Sequence, residues 1–116
     1  MISDWLAEIT ASLRQDRAIA RLIILSAKGS SPRGAGAELY LTKEHQSGSI
    51  GGGALEYQAS HIAREALATI PATGFLRFTR DFALGPDLGQ CCGGTVKVLF
   101  ECFAPAALPD LQELQS

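Results

Sequence analysis

Positive charge and cysteine are both scarce in this chain, and each scarcity removes a class of function. Lys plus Arg number 10 against 12 Asp plus Glu, for a formal net charge of −2. The basic excess needed to grip a phosphate backbone is missing, so nucleic acid is not an expected partner. The longest aliphatic run, Leu22 to Leu25, is far too short to cross a bilayer, and no membrane partner is expected. Met1, Ile2, Ser3 and Asp4 carry no basic n-region, so a cytoplasmic location is expected. Only three cysteines occur, with Cys91 and Cys92 adjacent, a poor disulfide framework that suits a reducing compartment. There is no C-x-x-C, and only His45 and His61 are available to complete a ligand set, which disfavours zinc. No Ser-His-Asp grouping is legible.

What the chain has is aliphatic residues and clustered glycine. Its 116 residues are 47% hydrophobic, enough for one core and therefore one domain. Ile2, Leu6, Ile9 and Leu13 recur at helical spacing, predicting an amphipathic helix that ends near Arg17. Ala18 to Ala27 reads as a buried strand, and Ala37 to Thr42, with Leu39 and Leu41 alternating against polar residues, as a half-buried one. Leu55, Ala59, Ile62, Ala66 and Ile70 predict a helix from Gly53 to Thr69, stopped by Pro71. Phe75, Leu76 and Phe78 give a short strand, and Thr95 to Phe103 a longer one, with a glycine-bearing loop from Asp81 to Gly94 between them. The order implies an α/β or α+β fold: a single compact domain with a mixed β-sheet and flanking helices. It spans residues 1–103, with 104–116 as a linker or the start of a further helix.

Three glycine-bearing segments carry the candidate chemistry. Gly48-Ser49-Ile50-Gly51-Gly52-Gly53-Ala54-Leu55-Glu56 delivers the chain into a helix, where unpaired N–H groups and the helix dipole attract an anion. It is neither a Walker A loop nor a G-x-G-x-x-G fingerprint, so ATP and NAD are not specifically indicated. Its bland alternative is a tight turn for close packing, with Glu56 compensating the dipole. Gly29-Ser30-Ser31-Pro32-Arg33 holds an Arg fork on a stiffened loop past a strand end, suited to phosphate or carboxylate, although a lone Arg is more often a solvated one. Leu88-Gly89-Gln90-Cys91-Cys92-Gly93-Gly94 offers two thiols on a loop, as a nucleophile or as small apolar residues. Cys102, inside an apolar strand, reads as packing.

Taken in order, Gly29-Ser30-Ser31-Pro32-Arg33-x-x-Gly36-Ala37, Gly48 to Glu56, and Leu88-Gly89-x-x-Cys92-Gly93-Gly94 resemble the amino-terminal domain of the XdhC/CoxI family. That resemblance implies a xanthine dehydrogenase accessory factor, which binds molybdenum cofactor (molybdopterin) and helps deliver it to an apo molybdenum hydroxylase. By the same resemblance the cofactor-binding set is Ser30, Ser31, Arg33, Gly51, Gly52, Gly53, Glu56, Cys92, Gly93 and Gly94, with Cys92 as the metal ligand. Leu39 stands where the family often has Met, and Glu44-His45 replaces a commoner Asp-Gly turn. Many members continue into a Rossmann-like domain; none is expected within residues 1–116, and a separate Rossmann-like domain is among the expected partners.

Three functions follow as expectations. The first is a cofactor carrier without catalysis of its own. The second is a sulfur-transfer or redox enzyme acting through Cys92, with a cysteine desulfurase as partner. The third is a non-catalytic subunit whose glycine motifs serve packing and dimer contacts. Self-association into a homodimer is expected because the amphipathic first helix has an apolar stripe to hide.

Overall fold

Ile9 and Leu13 lie on one stripe of the first helix, α1 (Trp5–Arg14), and both are buried. Asp4 precedes the helix without a side-chain cap, and the exit is clamped instead: Ser12 Oγ donates to the Arg17 carbonyl at 3.0 Å while Arg17 N–H donates to the Ser12 carbonyl at 3.1 Å. That reversal feeds the central strand of an open five-stranded sheet. The computed structural model describes residues 4–28, 34–83 and 94–115. In chain order the strands are β1 (Ile19–Lys28), β2 (Glu38–Leu41), β3 (Gln46–Gly48), β4 (Phe75–Ala83) and β5 (Thr95–Phe103), arranged β3-β2-β1-β5-β4.

Helix α2 (Gly53–Leu67) covers one face of this sheet. Period-2 alternation sends Ala20, Leu22 and Ile24, Leu39 and Leu41, and Val96, Val98, Phe100 and Cys102 to that face. They meet Leu55, Ala59, Ala63 and Ala66 of the helix. The small alanines let helix and sheet approach closely, so most of the core volume comes from the strands. Among the described residues the opposite face is covered at one end only. There α1 and α3 (Leu108–Gln115) bury Ile9, Leu13, Ile19, Phe103, Ala107 and Leu111 together. The apolar stripe of α1 is thus hidden within the chain.

The α/β class, the single domain and the open sheet flanked by helices are as expected from the sequence. Three details differ. A mixed sheet was expected, yet each of the four ladders is antiparallel, because the strand that follows α2 joins the far edge beside β5. The strand expected to end at Phe78 runs to Ala83: Phe82 is buried opposite Val96, and the intervening Arg80 stays on that face with its guanidinium 5.6 Å from the Phe78 ring. Asp81 to Ala83, expected in the glycine-bearing loop, therefore belong to the strand. Residues 46–48, to which the sequence reading assigns no strand, form β3, and all three are exposed.

Two glycines are required by close backbone approach. A Cβ on Gly48 (φ +81°) would sit 2.5 Å from the Glu38 carbonyl oxygen, and one on Gly74 (φ +89°) 2.6 Å from the Ala107 nitrogen. Gly36 shares the conformation (φ +93°) but faces open space. Gly48→Ala and Gly74→Ala should each lower stability by about 3 kcal/mol, against about 1 kcal/mol for Gly36→Ala. Urea unfolding midpoints of the three variants test this, and equal losses would contradict the close-approach account.

Candidate functional site

Three successive glycines with positive φ, Gly51 (123°), Gly52 (73°) and Gly53 (64°), turn the chain from β3 into α2. Side-chain-bearing residues resist this conformation, which is why the motif needs glycine at each position. The turn is wrapped around a carboxylate. Glu56 Oε1 accepts from Ser49 Oγ at 2.8 Å and from the N–H groups of Ile50 and Gly52, each at 3.1 Å. Ser49 Oγ in turn accepts from Gly51 N–H at 3.0 Å. Glu56 is thus an internal anion held by turn amides near the positive end of the helix dipole.

The first backbone bond at the head of α2 is Glu56 N–H to the Gly52 carbonyl at 3.4 Å. Gly53 and Ala54 precede it and have no intrahelical acceptor. Gly53 is exposed, and a Cβ placed on Gly52 would meet nothing within 4 Å. The amides of Gly53 and Ala54 are therefore the helix-head donors that Glu56 does not take. Beside them runs a groove of about 330 Å³ lined by Gln46, Gly53, Glu56, Tyr57, Ser60 and Arg64. Ser60 is buried, and its hydroxyl has no partner among the described residues. No sequence signal marked Ser60, since serine on an otherwise alanine-rich helix face reads as filler. A larger cleft of about 510 Å³, lined by Arg17, Lys43, His45 and Arg64 among others, lies at the far end of α2 and holds none of the motif residues.

Ser30, Ser31, Arg33, Cys91, Cys92 and Gly93 lie outside the described residues. The strand ends that lead to them do not. Lys28 closes β1 opposite Thr95, the first residue of β5, and Ala83 closes β4 opposite the same Thr95. Gly94, which is buried, immediately precedes it. β1 and β3 both run antiparallel to β2, so β3 carries the chain toward this same end before α2 begins. The three glycine motifs are therefore attached at one end of the sheet. Among the described residues no three His, Cys, Asp or Glu side chains converge as a metal site.

Sequence reading missed a polar cluster on the other face. Arg21, in a strand read as apolar throughout, donates from Nε to Glu38 Oε1 at 3.2 Å and from Nη1 to Glu101 Oε1 at 3.1 Å, and its guanidinium lies 4.8 Å from the Trp5 ring. Arg77 adds a second bridge to Glu101 at 3.2 Å. Tyr40 Oη donates to Glu38 in a short hydrogen bond. Burial pushes the Tyr40 phenol up to about 12, and its bond to Glu38 acts in the same direction. Burial alone would raise the Glu38 carboxyl, but hydrogen bonds from Tyr40 and Arg21 and the Arg21 charge outweigh it and hold the group below its ordinary value. Cys102 is an inert thiol: buried between Ala20 and Leu76, it is pushed up to about 11 by desolvation.

Two outcomes follow. Glu56→Ala should cost on the order of 2 kcal/mol by stranding several donors, and Glu56→Gln about 1 kcal/mol, read by chemical denaturation; equal melting of wild type and Glu56→Ala would contradict the bracing role. Tyr40 has its folded-state value raised from 10.0 to about 12. Its contribution to stability is therefore complete below pH 10, and it fades as pH climbs toward 12. Tyrosinate absorbance should show a late titration phase that Tyr40→Phe removes.

Residues 12–79, more than half of the chain, match the model of the XdhC and CoxI family. A crystal structure described as a xanthine dehydrogenase from Bacillus halodurans superimposes with a TM-score of 0.72 at 26% identity, over 93% of this chain and 33% of that one. This chain thus spans about a third of that protein's length. No curated protein is significantly similar in sequence. No helix among the described residues is long and apolar enough to cross a membrane. The match takes in the strand, the glycine turn and the helix from which the candidate site is built, and on it the chain belongs to the XdhC and CoxI family.

Proposed function

We propose that this chain is a cytoplasmic accessory factor without catalysis of its own, which holds molybdenum cofactor and hands it to an apo molybdenum hydroxylase of the xanthine dehydrogenase type. Family membership supports the reading at the level of that enzyme class. The observation that carries it is the head of α2, where Glu56 occupies the amides of Ile50 and Gly52 while those of Gly53 and Ala54 precede the first backbone hydrogen bond of the helix and have no acceptor within it. The residues present fit the anionic phosphate of the cofactor. When bound, the cofactor supplies that phosphate as a handle and a dithiolene that carries molybdenum.

Gly53 and Ala54 N–H groups would donate to the phosphate, and Gly51 and Gly52 keep side chains out of its path. Glu56 fixes the turn rather than touching the ligand. Arg33, with Ser30 and Ser31, would close on the phosphate from the segment after β1, and Cys92, beside Gly93 and Gly94, would present a thiolate to the metal. A carrier of this kind needs grip and release, not turnover. A Rossmann-like domain and a cysteine desulfurase are the further partners this role admits.

Purification from a host replete in molybdenum cofactor tests the reading, with released pterin fluorescence and molybdenum measured on the same sample. The wild type should retain both. Arg33→Ala should weaken retention on the order of 10-fold through the lost charged hydrogen bond. Cys92→Ser should lose molybdenum at unchanged melting temperature, and Cys91→Ser should behave as wild type. A wild-type chain that retains no pterin would refute the carrier role, and a persulfide on Cys92 would favour sulfur transfer.

A further inference from the structure

The far edge of the sheet is a nine-residue strand, Phe75–Ala83, whose outer side has no ladder partner among the described residues. A long open edge is a template for another strand, and charges along such an edge usually serve to keep strangers away. Here the charges are not merely repulsive. Read outward from Thr79, the strand is complementary to its own reverse. Arg77 and Asp81 stand two residues either side of Thr79, and Phe78 and Arg80 one residue either side. Leu76 and Phe82 stand three away. An antiparallel copy centred on Thr79 sets Arg77 against Asp81, Phe78 against Arg80 and Leu76 against Phe82, each pair occurring twice.

The geometry points to a homodimer built by antiparallel pairing of β4 with β4 of a second copy, about a two-fold axis at Thr79, which joins two five-stranded sheets into one. This inference is independent of the cofactor reading. The ladders already present extend the charge pattern across the seam. Arg21 faces Glu101, Glu101 faces Arg77, and Asp81 faces Lys97. The ion pairs Arg21–Glu101 at 3.1 Å, Arg77–Glu101 at 3.2 Å and Lys97–Asp81 at 2.9 Å follow that register. With Asp81 of the second copy opposite Arg77, the row alternates in sign without a break from Arg21 to Lys97 of the second copy. Arg77 and Asp81 side chains are 58% and 72% exposed, so both can reach a partner.

On the other face, Phe78 already stacks on Phe100 with centroids 4.7 Å apart. Arg80 of the second copy would cover its outer side, as Arg80 of the same chain approaches it now. Moving the register by two residues removes both Arg77–Asp81 pairs. The assembly also stops at two copies, because the remaining edges are the three-residue β3 strands, too short to propagate a sheet.

Sedimentation of the full chain over a range of concentrations tests the pairing. Wild type should reach twice its mass of 12.3 kDa. Arg77→Asp alone sets Asp against Asp81, and Asp81→Arg alone sets Arg against Arg77. Each should weaken self-association about 10-fold. Mixed in equal amounts, the two variants restore both opposite-charge pairs and should recover the dimer. Thr79→Lys, which sets two ammonium groups on the axis and breaks no ion pair within the chain, should also weaken it. Circular dichroism confirms that each variant is folded. A wild type that stays monomeric, a dimer indifferent to Thr79→Lys, or a mixture that stays monomeric would overturn the inference.

Discussion

The carboxylate of Glu56 is the constraint on which the candidate site depends. Three consecutive glycines in left-handed conformations would, on entropy alone, be a loose connection. Bonds from Ser49, Ile50 and Gly52 to one oxygen of Glu56 make them a defined turn. The same bonds decide which amides remain for a ligand. An anion-binding helix terminus usually presents all its first N–H groups. Here a resident carboxylate takes those of the turn, and in the proposed function a guest anion would bond to those at the head of the helix.

The sheet divides the work between its two faces. Its α2 face is an apolar core of aliphatic strands and alanines, which sets the distance between helix and sheet and so the position of the glycine turn. The other face is polar in its middle, where Arg21 lies between Glu38 and Glu101 with Tyr40 and Trp5 around it. Each charge there is paired and hydrogen-bonded, the condition under which partly buried ions are tolerated. The cluster ties β2, β1, β5 and β4 together along one row. α1 and α3 close the end of this face, and Gly74 lets the start of β4 reach the segment that leads into α3.

Local patterns were legible in the sequence where periodicity and burial agree. Thr95 to Phe103 reads as a strand and is one, because Val96, Val98, Phe100 and Cys102 alternate without interruption. Gly51 to Gly53 followed by a helical stripe gives the turn and α2. What escaped were features made by residues distant in sequence or by exposed ones. Arg21 meets Glu101, 80 positions away, and nothing in the run from Ala18 to Ala27 announces that one face of β1 is charged. β3 has no apolar residue to alternate. β4 looked short because Arg80 and Asp81 interrupt its pattern, whereas Arg80 lies flat along Phe78 and the strand continues to Phe82. The antiparallel directions were hidden because α2 suggests a parallel crossover until the position of β4 at the far edge is known.

The central claim is that the head of α2, braced by Glu56, receives the anionic end of the cofactor. Backbone amide resonances of the chain purified with cofactor, compared with the same sample after the cofactor is stripped, address it most directly. The account predicts large shifts at Gly53 and Ala54, with Ile50 and Gly52 little changed because their amides stay on Glu56. Shifts at Ile50 and Gly52 with none at Gly53 and Ala54, or no response anywhere in the turn, would contradict it.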